Sequence, residues 1–304
     1  MSIILAEDLT KWYGNIIGVN EVSFEIEGGI WGLVGPNGSG KTTLLNLISG
    51  VIKPSKGKIK IKGESPWKNY KIKRIIGYLP DIYELWEELT GREFLLSQAI
   101  IKNKKIDLKL FKHYLELFEL ERDIDRKIST YSKGMRQKLK FISTILHDPE
   151  LIILDEPLNG VDPKIRSVMI NLIKELGEKG KTVIISSHIL SEIEAITSNI
   201  IFLFSGYIIA KGNIYKLREL LEDIPQRVII RCSNPKLLSK LCIDYPDILG
   251  VEFKKNDTLI IKGRIKGEFL KELPIKAIES GIDIYSMTTP DYSLESLYKY
   301  LISG

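Results

Sequence analysis

The chain has 304 residues, enough for one large domain with a small appendage or for two medium domains. Hydrophobic residues make up 44% of it and charged residues 27%, which is ordinary for a soluble globular protein. The net charge of +5, without a basic block interleaved with aromatic residues, argues against nucleic-acid binding and is compatible with a weak attraction to an anionic membrane surface.

The sequence carries no signal for membrane insertion or secretion. The longest nearly apolar stretch, residues 200–210, is too short to span a bilayer and is broken by Ser205 and Gly206. The amino terminus lacks the basic start and long apolar region of a signal peptide, so we expect a cytosolic protein. The cysteines, Cys232 and Cys242, have no CxxC spacing and are expected to be reduced and structural.

The first part of the chain combines short β-rich runs with one helix. Residues 2–9, 22–28 and 30–35 have the composition of strands and are separated by turn residues. After Gly40 the pattern changes to that of a helix, and Gly50 suits the position just past its end. Two further strands are expected over the runs KIKIKG and RIIGYLP.

A helical segment follows. Thr90 and Glu93 have the spacing of a capping box, in which each side chain caps the backbone N–H of the other residue. Apolar residues then recur at helical spacing; they are Leu108, Phe111, Leu115 and Phe118. Because this stretch has no strand signal, we expect a helical subdomain over about residues 82–148.

Strand and helix alternate again after this segment. The runs LIILDEP and TVIISSH have the pattern of buried strands, and residues 200–210 that of two strands joined by a turn. Pro163 suits the first position of the helix between the two runs, just after Asp162. Continuous apolar strands flanked by helices predict a mostly parallel sheet that is covered on both faces.

The last part of the chain has a different pattern. A polar connector over residues 213–226 is followed by the order β-α-β-β-α-β, with a hairpin around Asn256 and Asp257. This order is typical of a small ferredoxin-like α+β domain. Pro274 is expected to kink or split the second helix of that domain.

One loop matches the phosphate-binding pattern G-x-x-x-x-G-K-[ST] in full; it consists of Gly35, Pro36, Asn37, Gly38, Ser39, Gly40, Lys41 and Thr42. Its glycines let backbone N–H groups surround phosphate oxygens, and the positive end of the next helix points at them. Lys41 is expected to contact the β- and γ-phosphates, and the Thr42 hydroxyl to bind Mg²⁺. A strand before the loop and a helix after it support this interpretation.

Two acidic residues follow the buried strand LIIL. Adjacent strand residues face opposite sides, so Asp155 and Glu156 are not expected to share a proton. One carboxylate can then face the Mg²⁺ ion while the other faces the γ-phosphate and an attacking water. We assign Asp155 to the metal and Glu156 to the water as general base. An ordinary acidic turn after a buried strand is the alternative.

Three further residues are candidates by their position. His188 ends the strand TVIISS, at the edge of a parallel sheet where ligands bind, which favours a catalytic role over a structural one. Ser132 is a candidate N-cap, and the start of its helix is either a second phosphate-binding device or an ordinary capped end. Tyr13 is either a stacking partner for a purine or a half-exposed core aromatic residue.

In this order, the motifs closely resemble those of the nucleotide-binding subunit of ATP-binding cassette (ABC) transporters, over roughly residues 3–212. By this resemblance, residues 132–136 are the signature sequence, residues 151–155 the Walker B strand and residues 159–162 the D-loop. The single-residue correspondences are Glu156 as the catalytic glutamate, His188 as the switch histidine and Tyr13 as the adenine-stacking aromatic.

The resemblance implies an α/β fold of the P-loop NTPase class. It has a mostly parallel sheet, an N-terminal antiparallel β subdomain and a helical insert. We expect the ABC ATP-binding domain over residues 1–215 and the accessory α+β domain over residues 216–304. The accessory domain carries no recognisable motif, and either adds dimer contacts or regulates the ATP-binding domain.

The resemblance also implies ATP and Mg²⁺ as cofactors, and hydrolysis of ATP in a head-to-tail dimer. Each site is expected to combine the phosphate-binding loop of one copy with Ser132 and Gly134 of the other. The implied nucleotide-binding residues also include Tyr13, Thr43 and Asp162.

A separate integral membrane permease is the implied partner, so the chain is expected at the inner face of the cell membrane. The runs YLPD and YSKGMRQKL, together with the C-terminal domain, resemble ABC-2-type exporters. One alternative is a non-transport ABC ATPase that acts on nucleic acid or ribosomes, although a coiled-coil insertion and a second cassette are missing. Another is a structural partner that binds ATP without turnover, against which Glu156 and His188 argue.

The sequence departs from the family pattern at two positions. Asp81 stands where the family usually has a glutamine that bridges the metal and the helical subdomain. An aspartate can still bind Mg²⁺ or hold a water, but it is shorter, negatively charged and unable to donate a hydrogen bond. Lys133 stands where glycine is common, and we expect its side chain to point to solvent rather than towards the γ-phosphate.

Overall fold

The computed structural model describes residues 2–82, 84–103, 106–219, 226–243, 245–255, 257–265, 267–290 and 294–303. The chain divides into two compact units, Met1–Lys211 and Gly212–Gly304. The boundary that the sequence predicts, between residues 215 and 216, lies a few residues further along. No described helix is both long enough and apolar enough to span a membrane.

The first unit contains strands β1 to β9 and helices α1 to α7. The strands are β1 (Ile4–Tyr13), β2 (Ile16–Ile26), β3 (Ile30–Val34), β4 (Lys56–Ile61), β5 (Ile76–Leu79), β6 (Leu151–Asp155), β7 (Thr182–Ser187), β8 (Asn199–Phe204) and β9 (Tyr207–Asn213). The helices are α1 (Lys41–Ile48), α2 (Tyr70–Arg74), α3 (Gly91–Ile101), α4 (Leu108–Leu117), α5 (Lys133–Ile145), α6 (Pro163–Glu178) and α7 (Leu190–Ile196).

A six-stranded sheet with the order β5-β6-β7-β3-β8-β9 forms the centre of this unit. Every residue of β6 and β7 is buried, which agrees with the apolar runs LIIL in β6 and VII in β7. The pairs β5–β6, β6–β7, β7–β3 and β3–β8 are parallel. The carboxyl ends of β5, β6, β7 and β3 therefore lie side by side along one edge of the sheet.

A second sheet in the first unit is antiparallel and has the order β2-β1-β4. Its inward residues, such as Ile4, Phe24 and Ile59, belong to the same apolar core as Leu33 of β3 and Ile153 of β6. This sheet is the N-terminal β subdomain that was expected, and α1 starts beneath it.

The described residues between 82 and 148 form helices and turns, which confirms the helical insert. Thr90 and Glu93 form the capping box at the start of α3. Phe118, next to α4, packs against Phe141 of α5, with ring centres 5.6 Å apart. This aromatic contact joins the last two helices of the insert.

The second unit is a ferredoxin-like α+β domain, as predicted. Its elements are α8 (Ile214–Glu219), β10 (Gln226–Cys232), α9 (Pro235–Ile243), β11 (Ile248–Lys255), β12 (Thr258–Gly263), α10 (Gly267–Glu279), β13 (Ile284–Thr288) and α11 (Leu294–Ser303). The sheet order is β11-β12-β10-β13, and its neighbouring strands are antiparallel. The expected hairpin joins β11 to β12, although Asn256 lies outside the described residues.

Of the two alternatives expected at Pro274, a kink or a split, the split does not occur, since α10 continues through this residue. Proline removes one backbone hydrogen bond, but Leu273 and Ala277 on either side are fully buried in the core of the unit. Packing therefore outweighs the loss of this backbone hydrogen bond.

Cys232 and Cys242 are buried and do not form a disulfide. Burial raises the pKa of the Cys242 thiol to about 12, which suits a structural role.

We predict that deletion of residues 217–304 leaves a folded, cooperative first unit. The reason is that the two apolar cores share no residue: the first extends no further than Ile208, and the second begins at Val228. Circular dichroism and thermal unfolding of the fragment, compared with the full chain, measure this. An insoluble fragment, or one without a cooperative transition, would show that the second unit is required for folding.

Candidate functional site

The loop between β3 and α1 has the shape that its glycines permit. Gly40 has φ 103°, and a Cβ atom there would lie 2.1 Å from the carbonyl oxygen of Gly18. A Cβ atom on Gly35 would lie 2.2 Å from the carbonyl oxygen of Leu203. Only glycine fits at these two positions, because the loop is packed against neighbouring backbone on both sides.

Lys41 folds back over this loop. Its Nζ donates hydrogen bonds to the carbonyl oxygens of Gly35 at 2.8 Å and Pro36 at 3.1 Å. The side chain is buried, which lowers the pKa of the ammonium group, while the carboxylates of Glu156 and Asp155 act in the opposite direction. The loop thus holds a desolvated cation, which is the charge that binds phosphate oxygens.

Ser39 provides a second sign of a ligand in the loop. It is 2% exposed, and its Oγ atom has no hydrogen-bond partner among the described residues. A buried hydroxyl without a partner costs free energy, about 1–3 kcal/mol. A phosphate oxygen in the loop would satisfy this group, so the residues present fit a bound phosphate chain.

Thr42 and Asp155 are the next part of the site. The Thr42 hydroxyl donates to Asp155 Oδ2 at 2.7 Å, and the Ser186 hydroxyl donates to Asp155 Oδ1. Burial raises the pKa of the Asp155 carboxyl, although these two hydrogen bonds oppose the shift. A hydroxyl and a carboxylate side by side fit a Mg²⁺ ion that also binds phosphate oxygens and waters.

Asp81 lies close to this pair. It follows β5, is exposed, and lines a cavity of about 620 Å³ together with Thr42, Asn46 and Tyr78. Its negative charge contributes to the raised pKa of Asp155. The structure therefore brings Asp81 close to Thr42 and Asp155, the pair that fits a Mg²⁺ ion.

The backbone at Glu156 corrects one premise of the sequence analysis. Strand alternation does not separate Asp155 from Glu156, because β6 ends at Asp155 and Glu156 has φ 50°. In this left-handed turn the Glu156 N–H donates to Ser186, to the carbonyl oxygen at 3.3 Å and to Oγ at 3.1 Å. Both carboxylates are close enough to act on the ammonium group of Lys41.

Glu156 is paired with His188 across the edge of the sheet. His188 Nδ1 lies 2.9 Å from Glu156 Oε2, and the Asn159 amide nitrogen donates to the same oxygen at 3.5 Å. Burial raises the pKa of the Glu156 carboxyl, while His188 and Lys41 oppose the shift. A carboxylate with a raised pKa accepts a proton from water more readily at neutral pH.

Ser186 is a site residue that the sequence analysis missed. It is completely buried, and its hydroxyl bonds to both Asp155 and the Glu156 backbone. The available signal was the pair of serines that ends the apolar strand β7, where hydroxyl groups replace the expected apolar side chains. The partners of these serines depend on strand order, which sequence patterns do not specify.

Ser132 and Gly134 are not joined to the phosphate-binding loop of the same chain by any hydrogen bond or ion pair among the described residues. Ser132 is the N-cap of α5, as predicted, and its Oγ accepts from the Met135 N–H at 3.2 Å. Both the Ser132 side chain and the start of α5 are exposed to solvent. This end of α5 is therefore available to a ligand from outside the chain.

The start of α5 packs against the turn that follows Glu156. The Gln137 side chain donates to the Pro157 carbonyl oxygen at 2.8 Å. Lys133 is exposed, as expected, but its stem lies beside Gly160, where a Cβ atom would be 2.9 Å from Lys133 Cε.

Asp162 caps α6 by accepting a hydrogen bond from the Ile165 N–H at 3.0 Å, and this bond lowers the pKa of the Asp162 carboxyl.

Tyr13 lies at the end of β1, and 46% of its surface is exposed. A Cβ atom on Gly18 would be 3.0 Å from the Tyr13 ring and 2.8 Å from the Thr43 side chain, so the two residues are close neighbours. The exposed ring therefore lies beside the start of α1, and Lys11 Nζ is 5.3 Å from its centre. This position suits stacking against a flat base.

Known proteins are similar to this chain in sequence and in architecture. A sequence profile of the ABC transporter family matches residues 19–159. The bacitracin transport ATP-binding protein BcrA of Bacillus licheniformis is 34% identical, and the alignment covers 100% of this chain and 98% of BcrA. The Nod factor export ATP-binding protein I of Rhizobium etli is 33% identical, with 83% of this chain and 80% of that protein covered.

A solved structure has the same fold as the first unit. The dimeric structure of MJ0796, a bacterial ABC transporter cassette, superposes with a TM-score of 0.64 and is 27% identical to this chain. The superposition covers 69% of this chain and 98% of the cassette.

We predict that Glu156→Gln retains ATP affinity and lowers kcat by a factor of at least about 100, because an amide cannot accept the proton of an attacking water. Equilibrium binding of a fluorescent ATP analogue and steady-state phosphate release measure the two quantities. Glu194→Gln, an exposed carboxylate on α7, is the matched control and should keep both values. Near-normal turnover of Glu156→Gln would contradict the assignment of the base.

Proposed function

The chain belongs to the family of ABC transporter ATP-binding proteins, and from this premise we propose that it powers export through a separate membrane subunit. As a member of this family it binds and hydrolyses ATP at the interface of a head-to-tail dimer. The observation that supports ATP hydrolysis at this site is the arrangement of Lys41, Thr42, Asp155, Glu156 and His188 along one edge of the parallel sheet.

The phosphate-binding loop is proposed to hold the ATP phosphates with its backbone N–H groups, the Lys41 ammonium and the Ser39 hydroxyl. Tyr13 stacks on the adenine, and the start of α1 at Thr42 and Thr43 faces the phosphates. Thr42 and Asp155 would bind Mg²⁺, with Asp81 on the same side of the site. When bound, the ion neutralises charge on the β- and γ-phosphate oxygens.

Glu156 is proposed to accept a proton from the attacking water at Oε2 or Oε1. Its pKa is raised by burial, which strengthens it as a base, and His188 holds Oε2 through Nδ1 at 2.9 Å. The Ser186 contacts keep the Glu156 backbone in its left-handed turn. Lys41 and the amide groups of the loop stabilise the charge that develops on the γ-phosphate.

We propose that Ser132 and Gly134 complete the ATP site of a second copy. Ser132 is exposed and Gly134 half-buried at the start of α5, and neither makes a polar contact with the loop of its own chain among the described residues. The dipole of α5 points its positive end outwards from this position, which favours a phosphate of the opposing copy. Asp162 lies on the same exposed side, at the start of α6.

The permease is proposed to dock at the cavity beside Asp81. Val51 and Ile82 line this cavity and are 52% and 87% exposed. Trp86, which is 52% exposed and packs edge-on against Phe94, lies a few residues further along the same segment. Large exposed apolar residues beside a cavity are typical of a protein interface. This contact would hold the chain at the inner face of the membrane.

Export is the proposed direction of transport. Two relatives carry transport or export in their names, for bacitracin and for Nod factor. The two names give different transported molecules, so the shared property is the ATP-driven machinery rather than the cargo. The membrane subunit is therefore proposed to select the transported molecule.

We predict that Ser132→Arg and Lys41→Ala, each inactive alone, partly restore ATPase activity when mixed. A mixed dimer contains one site with an intact loop and an intact α5 start, whereas each homodimer contains none. Steady-state phosphate release at increasing ratios of the two proteins measures the restoration. Ser132→Arg mixed with Ser132→Arg/Lys41→Ala is the control, and equal activity in both mixtures would contradict the shared site.

We also predict that Ile82→Glu abolishes co-purification with the membrane subunit while ATP binding remains unchanged. The side chain is 87% exposed, so a charge there should disturb docking without disturbing the core. Affinity purification from detergent-extracted cell membranes, with quantification of the co-purified integral membrane protein, measures the effect. Ile278→Glu, at a site 74% exposed in the second unit, is the matched control. Undiminished co-purification of Ile82→Glu would place the permease elsewhere.

A further inference from the structure

A buried carboxylate lies next to the ATP site without belonging to it. Glu192, on α7, is 8% exposed. Its Oε1 atom pairs with the Arg166 guanidinium at 3.1 Å, and its Oε2 atom accepts a hydrogen bond from the Ser187 hydroxyl at 2.8 Å. A buried charge requires such partners, and removal of one partner is strongly destabilising. Both oxygens of Glu192 are thus committed to fixed neighbours.

The Ser187 hydroxyl holds the chain on both sides of His188. Its hydrogen goes to Glu192, and its oxygen accepts from the Ile189 N–H at 3.0 Å. Ser187 itself is 2% exposed and ends β7. The two residues that flank His188 are therefore held by one hydroxyl group. This matters because 46% of the His188 side chain is exposed, so packing alone does not decide where its ring lies.

The ion pair of Glu192 connects α7 to α6 through Arg166. Arg166 is in the first turn of α6, and its N–H donates to the carbonyl oxygen of Asp162 at 2.9 Å. Asp162 is the N-cap of α6 and closes the segment that begins at Asn159. The same segment contacts Glu156, because the Asn159 amide donates to the Glu156 carboxylate. A side-chain path therefore runs from the start of α6 through Glu192 to the backbone at His188.

We propose that Arg166, Glu192 and Ser187 are positioning residues for ATP hydrolysis, which hold the backbone around His188 so that Nδ1 stays against Glu156. The proposal rests on the role of His188 in the proposed function. It assigns no chemistry to the three residues themselves. They act through His188, and they link its position to the exposed segment 159–162 at the start of α6.

A purely structural role predicts different behaviour. If the contacts only joined α6 to α7, their loss would lower the stability of the unit and leave the turnover of the folded protein unchanged. If they position His188, their loss lowers kcat in folded protein. The loss then disappears once His188 is absent, because the interaction through which they act no longer exists.

The experiment is a double-mutant cycle of Glu192→Gln and His188→Ala in the full-length chain. Glutamine keeps the volume of Glu192 and removes the charge that pairs with Arg166. We expect Glu192→Gln to lower kcat about tenfold with the KM for ATP changed less than about twofold, since the phosphate-binding loop is untouched. In the His188→Ala background, Glu192→Gln should have no further effect on kcat.

Two further variants provide a control for the cycle and a replacement for Glu192→Gln. Glu194→Gln, an exposed carboxylate two positions along the same helix, should leave kcat and KM unchanged. Ser187→Ala leaves the Arg166–Glu192 ion pair in place and removes the hydroxyl between Glu192 and Ile189. It should reproduce the loss of kcat, and it replaces Glu192→Gln in the cycle if that variant does not fold. Thermal unfolding of each variant shows that the folded protein is being compared.

The outcomes separate the two proposals. Multiplicative losses in the double variant would overturn the positioning role while leaving the role of His188 intact. Unchanged kcat in Glu192→Gln and Ser187→Ala would also overturn it. Normal turnover of His188→Ala would refute the role of His188 in the proposed function, and the positioning role with it. Non-additive losses with an unchanged KM would support the path from α6 to His188.

Discussion

The rest of the site depends on the buried carboxylate of Asp155 at the end of β6. It is held from two sides, by the Thr42 hydroxyl of α1 and by the Ser186 hydroxyl of β7. Burial of a carboxylate is unfavourable, and hydrogen bonds to a charged group each contribute about 1.5–3 kcal/mol against that cost. The same pair of bonds ties the phosphate-binding loop to the central strands. Because Ser186 also holds the Glu156 backbone, the same buried hydroxyl orders the residues that we propose for the ion and for the attacking water.

A second constraint is that the two proposed half-sites of each chain are in direct contact with each other. The start of α5 contacts the turn after Glu156 through Gln137 and Pro157, while Lys133 lies beside Gly160. In the proposed dimer, the start of α5 would serve the opposing copy, whereas Glu156 would serve its own loop. The contacts of Gln137 and Lys133 join these two parts of one chain directly.

Local features of the fold were predictable wherever a short stretch of sequence decides the outcome. The capping box at Thr90 and the N-caps Ser132 and Asp162 involve residues three positions apart, so their contacts follow from spacing alone. Longer-range packing and unusual backbone angles were not predictable in this way. The buried neighbours of Pro274 keep α10 continuous, which excludes the split that was one of two alternatives there. The strand alternation expected at Glu156 was wrong, because this residue forms a left-handed turn. Ser186 was missed because its partners, Asp155 and the Glu156 backbone, lie at the end of another strand, about 30 residues away in sequence.

The sequence by itself determined the chemistry of the phosphate-binding loop, the alternation of strands and helices, the ferredoxin-like order of the second unit and the ATPase family. These properties depend on residue types at fixed spacing along the chain, and that spacing is the same whether or not the chain is folded. Only the tertiary structure decided that β7 lies between β6 and β3, which places Ser186 and His188 beside Asp155 and Glu156. The tertiary structure also decided that Glu192 contacts both Arg166 and Ser187. Strand order and side-chain pairing depend on which apolar faces bury each other across long stretches of chain, and no local pattern records that choice.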